Sequence, residues 1–466
     1  MKIQLVKSRR TSGGISFSVV WITLMVSLIL AAYLNMVSSQ NYYTMRSQAW
    51  NSSISVIEAG IEEALAHLNK NGTTNVNFVT DGWVLWGGTY YKRGYVGSSF
   101  YDVTITTVAN PVITCRGYSK TLQNYAGVNP GGLQPFLAAV SVQFMSAPDG
   151  FVYRTVQCNT MADGMWSRGL VAKYHIDMNG NNIRTDSFDS ADPSYSVNGQ
   201  YSLAKAKDNG DVATVSGLTN SANVNVGNGD IHGHVATGPG GSVSIGSNGS
   251  VGSDAWRATG GSGLQAGWFR DDMNVTFNPV GVPFNGGYFT PGSGTVGGTS
   301  YNYVLGSGKY QLSSFSLSGQ GKAIVTGNAV LYVTGGFSMT GQSSIILATN
   351  ATLKIYVGQV SGTGNSATIG GQGIINSSGY AANFSFFGLP STTSLTFSGN
   401  AGFMGAIYAP NANFTLNGGG NNNIDFIGAS VSATVTMNGH MNFHYDENLG
   451  RVGPRRAYLI TSWNEI

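Results

Sequence analysis

A short pattern that returns through the C-terminal half of this chain restricts its fold more than any other feature. Phe315-Ser-Leu-Ser-Gly-Gln320 recurs 22 residues later as Phe337-Ser-Met-Thr-Gly-Gln342. It recurs again as Leu395-Thr-Phe-Ser-Gly-Asn400, Phe414-Thr-Leu-Asn-Gly-Gly419 and Val435-Thr-Met-Asn-Gly-His440, the last three starting 19 and 21 residues apart. Each copy alternates apolar and small polar residues and ends at glycine, the period-two signature of a short half-buried strand closed by a tight turn. Ala329-Val-Leu-Tyr-Val333, Leu353-Lys-Ile-Tyr-Val357 and Ala406-Ile-Tyr408 supply further strands between the copies. A period near twenty with several strands per unit predicts a solenoid, and turn-rich units of this length suit a right-handed parallel β-helix.

The expected solenoid spans residues 211–450, with earlier coils near Val224 and Val243. That length accommodates about eleven coils, or about 50 Å of stack. Apolar positions would point inward, and Asn and Ser would form ladders at the turns. An antiparallel β-sandwich is the alternative, because the interval from 342 to 395 shows no clear repeat. Composition agrees with exported β-structure. The chain has 66 Gly among 466 residues, 10% charged residues against a usual figure of about 25%, and 11% aromatics, too many for a disordered polar chain. The formal net charge of +3 and the absence of a basic stripe beyond the first residues exclude nucleic-acid binding as an expectation.

The N-terminus carries a different signal. Lys2, Lys7, Arg9 and Arg10 precede Gly13-Gly14, and an uncharged apolar run follows from Ile15 to Val37. As a helix that run measures about 35 Å, enough to cross a hydrocarbon core of about 30 Å. Its hydroxyl residues, Ser18, Thr23 and Ser27 among them, can bond back to the helix backbone. The basic leader places the N-terminus in the cytoplasm and the remainder outside a single-pass inner membrane. Without Pro or Gly at the junction, the helix continues into an amphipathic segment whose stripe is Ile54, Ile57, Ile61, Leu65 and Leu68, stopping at Asn71-Gly72.

Within that helix, Glu58-Ala-Gly-Ile-Glu-Glu-Ala64 resembles the corresponding segment of PilX-type minor pilins and their pseudopilin relatives. The resemblance covers residues 1 to 70. It implies cleavage by a prepilin peptidase after Gly14, a new N-terminus at Ile15, a filament core built from the exposed helix, and partnership with other pilin-like subunits and assembly machinery. Ile15 stands where major pilins carry Phe or Met, and Val19 where they carry Glu, which favours a minor component. An uncleaved membrane anchor is the plain alternative. The C-terminal half, including Asn442-Phe-His-Tyr-Asp-Glu-Asn-Leu-Gly450, resembles the β-helical region of large bacterial pilus-assembly-like proteins.

These readings divide the chain into a leader (1–14), a transmembrane and amphipathic helix (15–72), a β-rich head and transition region (73–210), the β-helix (211–450) and a tail (451–466). The fold class expected is mainly β, with a long N-terminal helix, a small antiparallel head and a parallel solenoid. In the head, Tyr101–Thr107, Val112–Gly117, Ala139–Phe144 and Val152–Gln157 alternate as strands. Leu459 to Trp463 can pair back as a closing strand. The two cysteines, Cys115 and Cys158, are a disulfide candidate in an oxidising compartment, with two buried thiols as the alternative.

Chemistry-bearing motifs are sparse. His232-Gly-His234 places two imidazoles on one strand face, half of a metal site at most. Asp186, Asp189 and Asp192 share a polar loop, and Asp271-Asp272 adjoin Arg270, without the spacing of a calcium loop. The Gly-Gly runs lack the Gly-Lys-Ser/Thr of a phosphate loop, so no cofactor is expected. Tyr301, Tyr303 and Tyr310 lead an aromatic row that can pack or can contact surface glycans. The function expected is structural: a membrane-anchored minor pilin-like or pseudopilin-like component displaying a β-helix for assembly or adhesion. The competing reading is a membrane-anchored polysaccharide-binding or polysaccharide-cleaving β-helix. Cleavage requires carboxylates in a groove, yet residues 309–424 contain only Lys309, Lys322 and Lys354 as charged residues, so no enzyme is expected.

Overall fold

The computed structural model describes residues 12–71, 77–121, 150–180, 182–217, 222–362, 364–399, 402–418 and 424–466. They form two compact units, one comprising Met1–Ala162 with Arg456–Ile466, the other Asp163–Arg455.

In the first unit a single helix, α1, runs from Ser12 to Asn71. From Phe17 to Met36 its apolar side chains, including Trp21, Leu24, Leu28 and Ile29, are exposed. Thr23 Oγ1 donates to Val19 O at 3.0 Å and Ser27 Oγ to Thr23 O at 2.7 Å, so the hydroxyls in this stretch are satisfied by the helix itself. The upper part of α1 is amphipathic. Ile57, Ile61 and Leu68 of the expected stripe are buried, together with Val56 and Ala64.

They pack on an antiparallel meander of β1 (Val84–Trp86), β2 (Thr89–Val96), β3 (Ser99–Thr106), β4 (Val112–Lys120) and β5 (Phe151–Gly164). A sixth strand, Arg455–Glu465, closes the sheet beside β5. Arg154 pairs with Glu465 at 2.5 Å and Asn159 Nδ2 donates to Ser462 Oγ at 2.8 Å, so the two strands run in opposite directions. The residues expected as a tail therefore complete the head. The strand expected at Ala139–Phe144 lies outside the described residues.

Small residues bring helix and sheet together. A Cβ on Gly60 would lie 2.6 Å from Cys115 Sγ and 2.7 Å from Tyr101 Cδ2, and one on Gly117 would lie 2.7 Å from Ser53 O. Tyr101 also lies over Gly94, and its hydroxyl donates to Glu63, which Lys92 Nζ meets at 2.8 Å. Gly60, Glu63 and Ala64 of the quoted helix motif are thus packing and anchoring residues.

The second unit is built from three ladders of parallel strands, visited in rotation except where Ser250–Val251 and the next strand, Gly263–Leu264, pair on one ladder. In the second run of coils the first ladder pairs Gly308–Leu312, Asn328–Val333, Thr352–Val357 and Phe384–Gly388 and then continues into Phe403–Gly418 and Ile424–Asn438. The same ladder then passes to Leu170–Ala172, Val212–Thr214, Val235–Ala236 and Phe269–Arg270. The chain therefore enters at the middle of the stack and coils outward to Arg270. It restarts at the opposite end near Thr299 and coils back until Ser430 pairs with Leu170, Val435 with Ile176, and Asn442 with Arg184. Parallel pairing begins at Leu170, forty residues before the expected start, because the first coils use strands of only a few residues.

All five quoted repeats fall in register on the second ladder: Phe315 pairs with Phe337, Leu395 with Phe414, and Phe414 with Val435. Ala367 bridges Phe337 to Leu395 and fills the interval where the repeat had faded. The pairing throughout these ladders is parallel, which removes the antiparallel sandwich. One antiparallel hairpin, Gly292–Val296 with Thr299–Leu305, lies at the end of the third ladder. A single buried cluster draws on all three ladders, with Phe315 stacked on Phe337 at 4.6 Å and Phe426 stacked between Phe403 and Phe443 at 4.3 and 4.7 Å. Asparagine ladders accompany it: Asn438 Nδ2 donates to Asn417 Oδ1 at 3.0 Å.

The outer face of the first ladder is also covered. Residues 271–290 carry the chain from the first run to the second, and Met273, Phe277 and Val280 pack with Tyr332, Phe387 and Tyr408.

Candidate functional site

The junction of the two runs gathers ionisable residues that the sequence scatters. On the third ladder Asp425, Asn442, Arg184 and Asp230 stand in one register row, and His444 and Asp186 pair two positions along, on the same face. His444 Nδ1 lies 2.5 Å from Asp186 Oδ1, and its Nε2 lies 3.4 Å from Asp425 Oδ1. Arg184 Nε and the Tyr201 hydroxyl both donate to Asp186 Oδ2, at 2.7 and 2.8 Å. The Tyr201 ring stacks on the imidazole at 3.6 Å.

Burial opposes charge on Asp186, but the His444 bond and the Arg184 guanidinium outweigh it and hold the carboxyl below its usual range. Burial likewise opposes charge on His444, and Asp186 with Asp425 outweighs it, raising the imidazole above its usual value. The result is an imidazolium–carboxylate pair, nearly inaccessible, at 1% and 0% exposure. This geometry clamps the last coil to the first and leaves no room for a substrate at the pair itself.

A second constellation lies on the first-run side. His232 is held at a corner by its backbone: its N–H donates to Thr185 O and its carbonyl accepts from Gly210 N–H, both at 2.8 Å. Asp254 opens the short helix Asp254–Ala258, which Ser253 caps by accepting from Trp256 N–H. Asp208 approaches from the loop before Val212. One ligand atom from each of Asp208, His232 and Asp254 lies within 4.8 Å of the others, a grouping able to hold a metal ion. His232 is in contact with Asp254 through Nδ1. Burial, then the charges of Arg184 and Arg257, lower its proton affinity.

Several residues weighed together in the sequence lie apart in the structure. His234 leaves the set: its ring stacks on Trp268 at 4.2 Å, and its N–H donates to Asp211 Oδ1 at 2.8 Å. Asp186 and Asp189 also part, the latter binding Arg451 at 2.5 Å. Cys115 and Cys158 are free, buried thiols. Cys115 pairs with Val156 and Cys158 with Ile113, so the two buried thiols are diagonal neighbours on adjacent strands. Burial pushes the Cys158 thiol up to about 11.

Tyr301, Tyr303 and Tyr310 are half-buried rather than displayed. Tyr303 lies 5.0 Å from Phe315, and the Tyr310 hydroxyl accepts from Gly306 N–H at 3.0 Å, which makes both packing residues. Gly14 and Ile15 belong to α1, while residues 1–11 of the leader lie outside the described residues.

Comparison with known proteins gives one finding. Residues 293–452 match the family model of a domain of unknown function, DUF7305. Those bounds enclose the second run of coils, from the antiparallel hairpin to the helix Asn448–Val452. Neither the curated proteins nor the solved structures yield a match to the chain.

Proposed function

We propose that this chain is a membrane-anchored minor pilin-like or pseudopilin-like structural component of a type IV filament or cell surface. In this reading the N-terminus is cytoplasmic, the bulk is exported, and the three parallel ladders close into a right-handed β-helix that serves assembly or adhesion. The observation that carries it is α1. One helix of 60 residues leaves an apolar first half exposed and seats its second half on an antiparallel sheet through the Glu58–Ala64 motif. The cyclic order of the ladders and their common buried cluster support the solenoid.

A structural role, not an enzymatic one, is also part of the proposal. The most closely gathered groups at the junction are committed to each other under Tyr201. Mass spectrometry of the protein from native membranes tests the reading. An N-terminus at Ile15, lost on Gly14→Val, is the expected result. Intact Met1 in the mature protein would reduce it to an uncleaved anchor.

A further inference from the structure

We propose that Asp208, His232 and Asp254 bind one divalent transition-metal ion, with Zn2+ as the representative probe. The inference is independent of the pilin-like reading. It rests first on donor chemistry: two carboxylate oxygens and one imidazole nitrogen form a mixed set of the kind that zinc accepts, with a position left for water. Calcium and magnesium take oxygen donors and have no use for His232.

It rests secondly on geometry. The three residues come from three separate segments: the loop before the first-ladder strand, a corner between ladders, and the start of a capped helix. They nevertheless converge within 4.8 Å. His232 is 5% exposed, and its backbone is fixed on both sides, so the ring is presented rather than mobile. A third observation points the same way. Asp208 Oδ1 is buried and meets no hydrogen-bond donor among the described residues. The Asp208 carboxyl accepts from the Asp254 backbone N–H and lies against the Asp254 carboxylate. A buried carboxylate oxygen without a donor, set beside a second carboxylate, is an arrangement that a cation between them relieves.

The nearby guanidinium groups do not fill that role. Arg257 Nη1 is directed to Asp230 at 2.7 Å, and Arg184 Nε to Asp186 at 2.7 Å. Each is bonded to its own carboxylate and neither to Asp208. Bound metal would join the last coils of the first run to the loop at 208, at the end of the stack farthest from Thr299.

The test uses the full chain purified in detergent, stripped with chelator and titrated with Zn2+ by calorimetry at neutral pH. One equivalent is expected to bind, with affinity at least 100-fold weaker in His232→Gln and in Asp254→Asn. His234→Gln, outside the set, should leave affinity unchanged. Absence of binding to the wild-type chain, or stoichiometric binding that survives His232→Gln, would overturn the proposal. X-ray absorption on the wild-type zinc complex covers the case of a variant that does not fold. One nitrogen and otherwise oxygen ligands at about 2.0–2.2 Å are expected. Sulfur in the shell, or two or more imidazoles, would assign the metal elsewhere and reject this site.

Discussion

The two runs of coils share one stack but are held in different ways. In the second run the strands are long, up to the 16 residues of Phe403–Gly418, and they bury an aromatic column with little charge nearby. In the first run the strands shrink to pairs such as Asp230–Ile231 and Val235–Ala236. There, side-chain bonds replace backbone length: Arg257 reaches Asp230 and the carbonyls of Ile231 and Ser250. Parallel coils can thus be secured by stacking or by polar cross-links, and only the second device gathers groups capable of chemistry. That is why the candidate metal site lies in the first run and outside the segment matched by the family model.

The sharpest way to break this contrast is Phe426→Ala. The ring is buried between two others, and its loss should cost about 3–5 kcal/mol, against about 2 kcal/mol for Val235→Ala in the first run. Chemical denaturation of the purified chain measures both, and equal penalties would erase the distinction.

Next in size is the junction. Asp186→Asn removes the negative charge from a buried ion pair and should cost about 3 kcal/mol. The sign of its pH dependence follows from the two directions. His444 is raised, so its contribution is complete below about pH 6.5 and fades as pH climbs through the higher folded value. Asp186 is lowered, so its contribution is complete above about pH 3.9 and fades as acid reaches the lower folded value. The penalty should therefore be greatest between those limits and shrink on both sides in a series of melting curves. A penalty flat from pH 4 to 9 would show that the pair does not carry the charge.

The smallest effect has the opposite sign. Ser430 sits in the inward row between Ile407 and Leu170, and its buried hydroxyl has no partner among the described residues. Ser430→Ala should stabilise by about 1 kcal/mol. Loss of stability on that change would mean that the hydroxyl is satisfied in solution.

Much of the second run was legible, because alternation over five or six residues shows in sequence wherever a strand is long enough to have an inside and an outside. The weak interval around Ala367 failed for a local reason. Its coils lie 30 and 28 residues apart and place a small residue where Phe or Leu stands elsewhere. The stripe of α1 was equally plain, and its Glu58–Ala64 segment acquired a physical role only when Tyr101 and Lys92 came into view.

The junction was not legible at all. His444 and Asp186 are 258 residues apart, and nothing local to either announces a partner. His232 was noticed for its neighbour His234, yet its companions are Asp208 and Asp254, brought there by the loop and the capped helix. Two-residue strands, for their part, are too short to display a period.

The chain leaves the head at Ala162 and returns at Arg456, with Met165 N–H bonded to Pro454 O at 2.7 Å just inside the second unit. The head sheet receives its sixth strand only from Arg455–Glu465. During synthesis the sheet under α1 must therefore wait for nearly three hundred intervening residues, and a chain cut short anywhere among them carries its long helix without a finished head. Completion of the sheet is in effect a record that the whole coiled insert has been made.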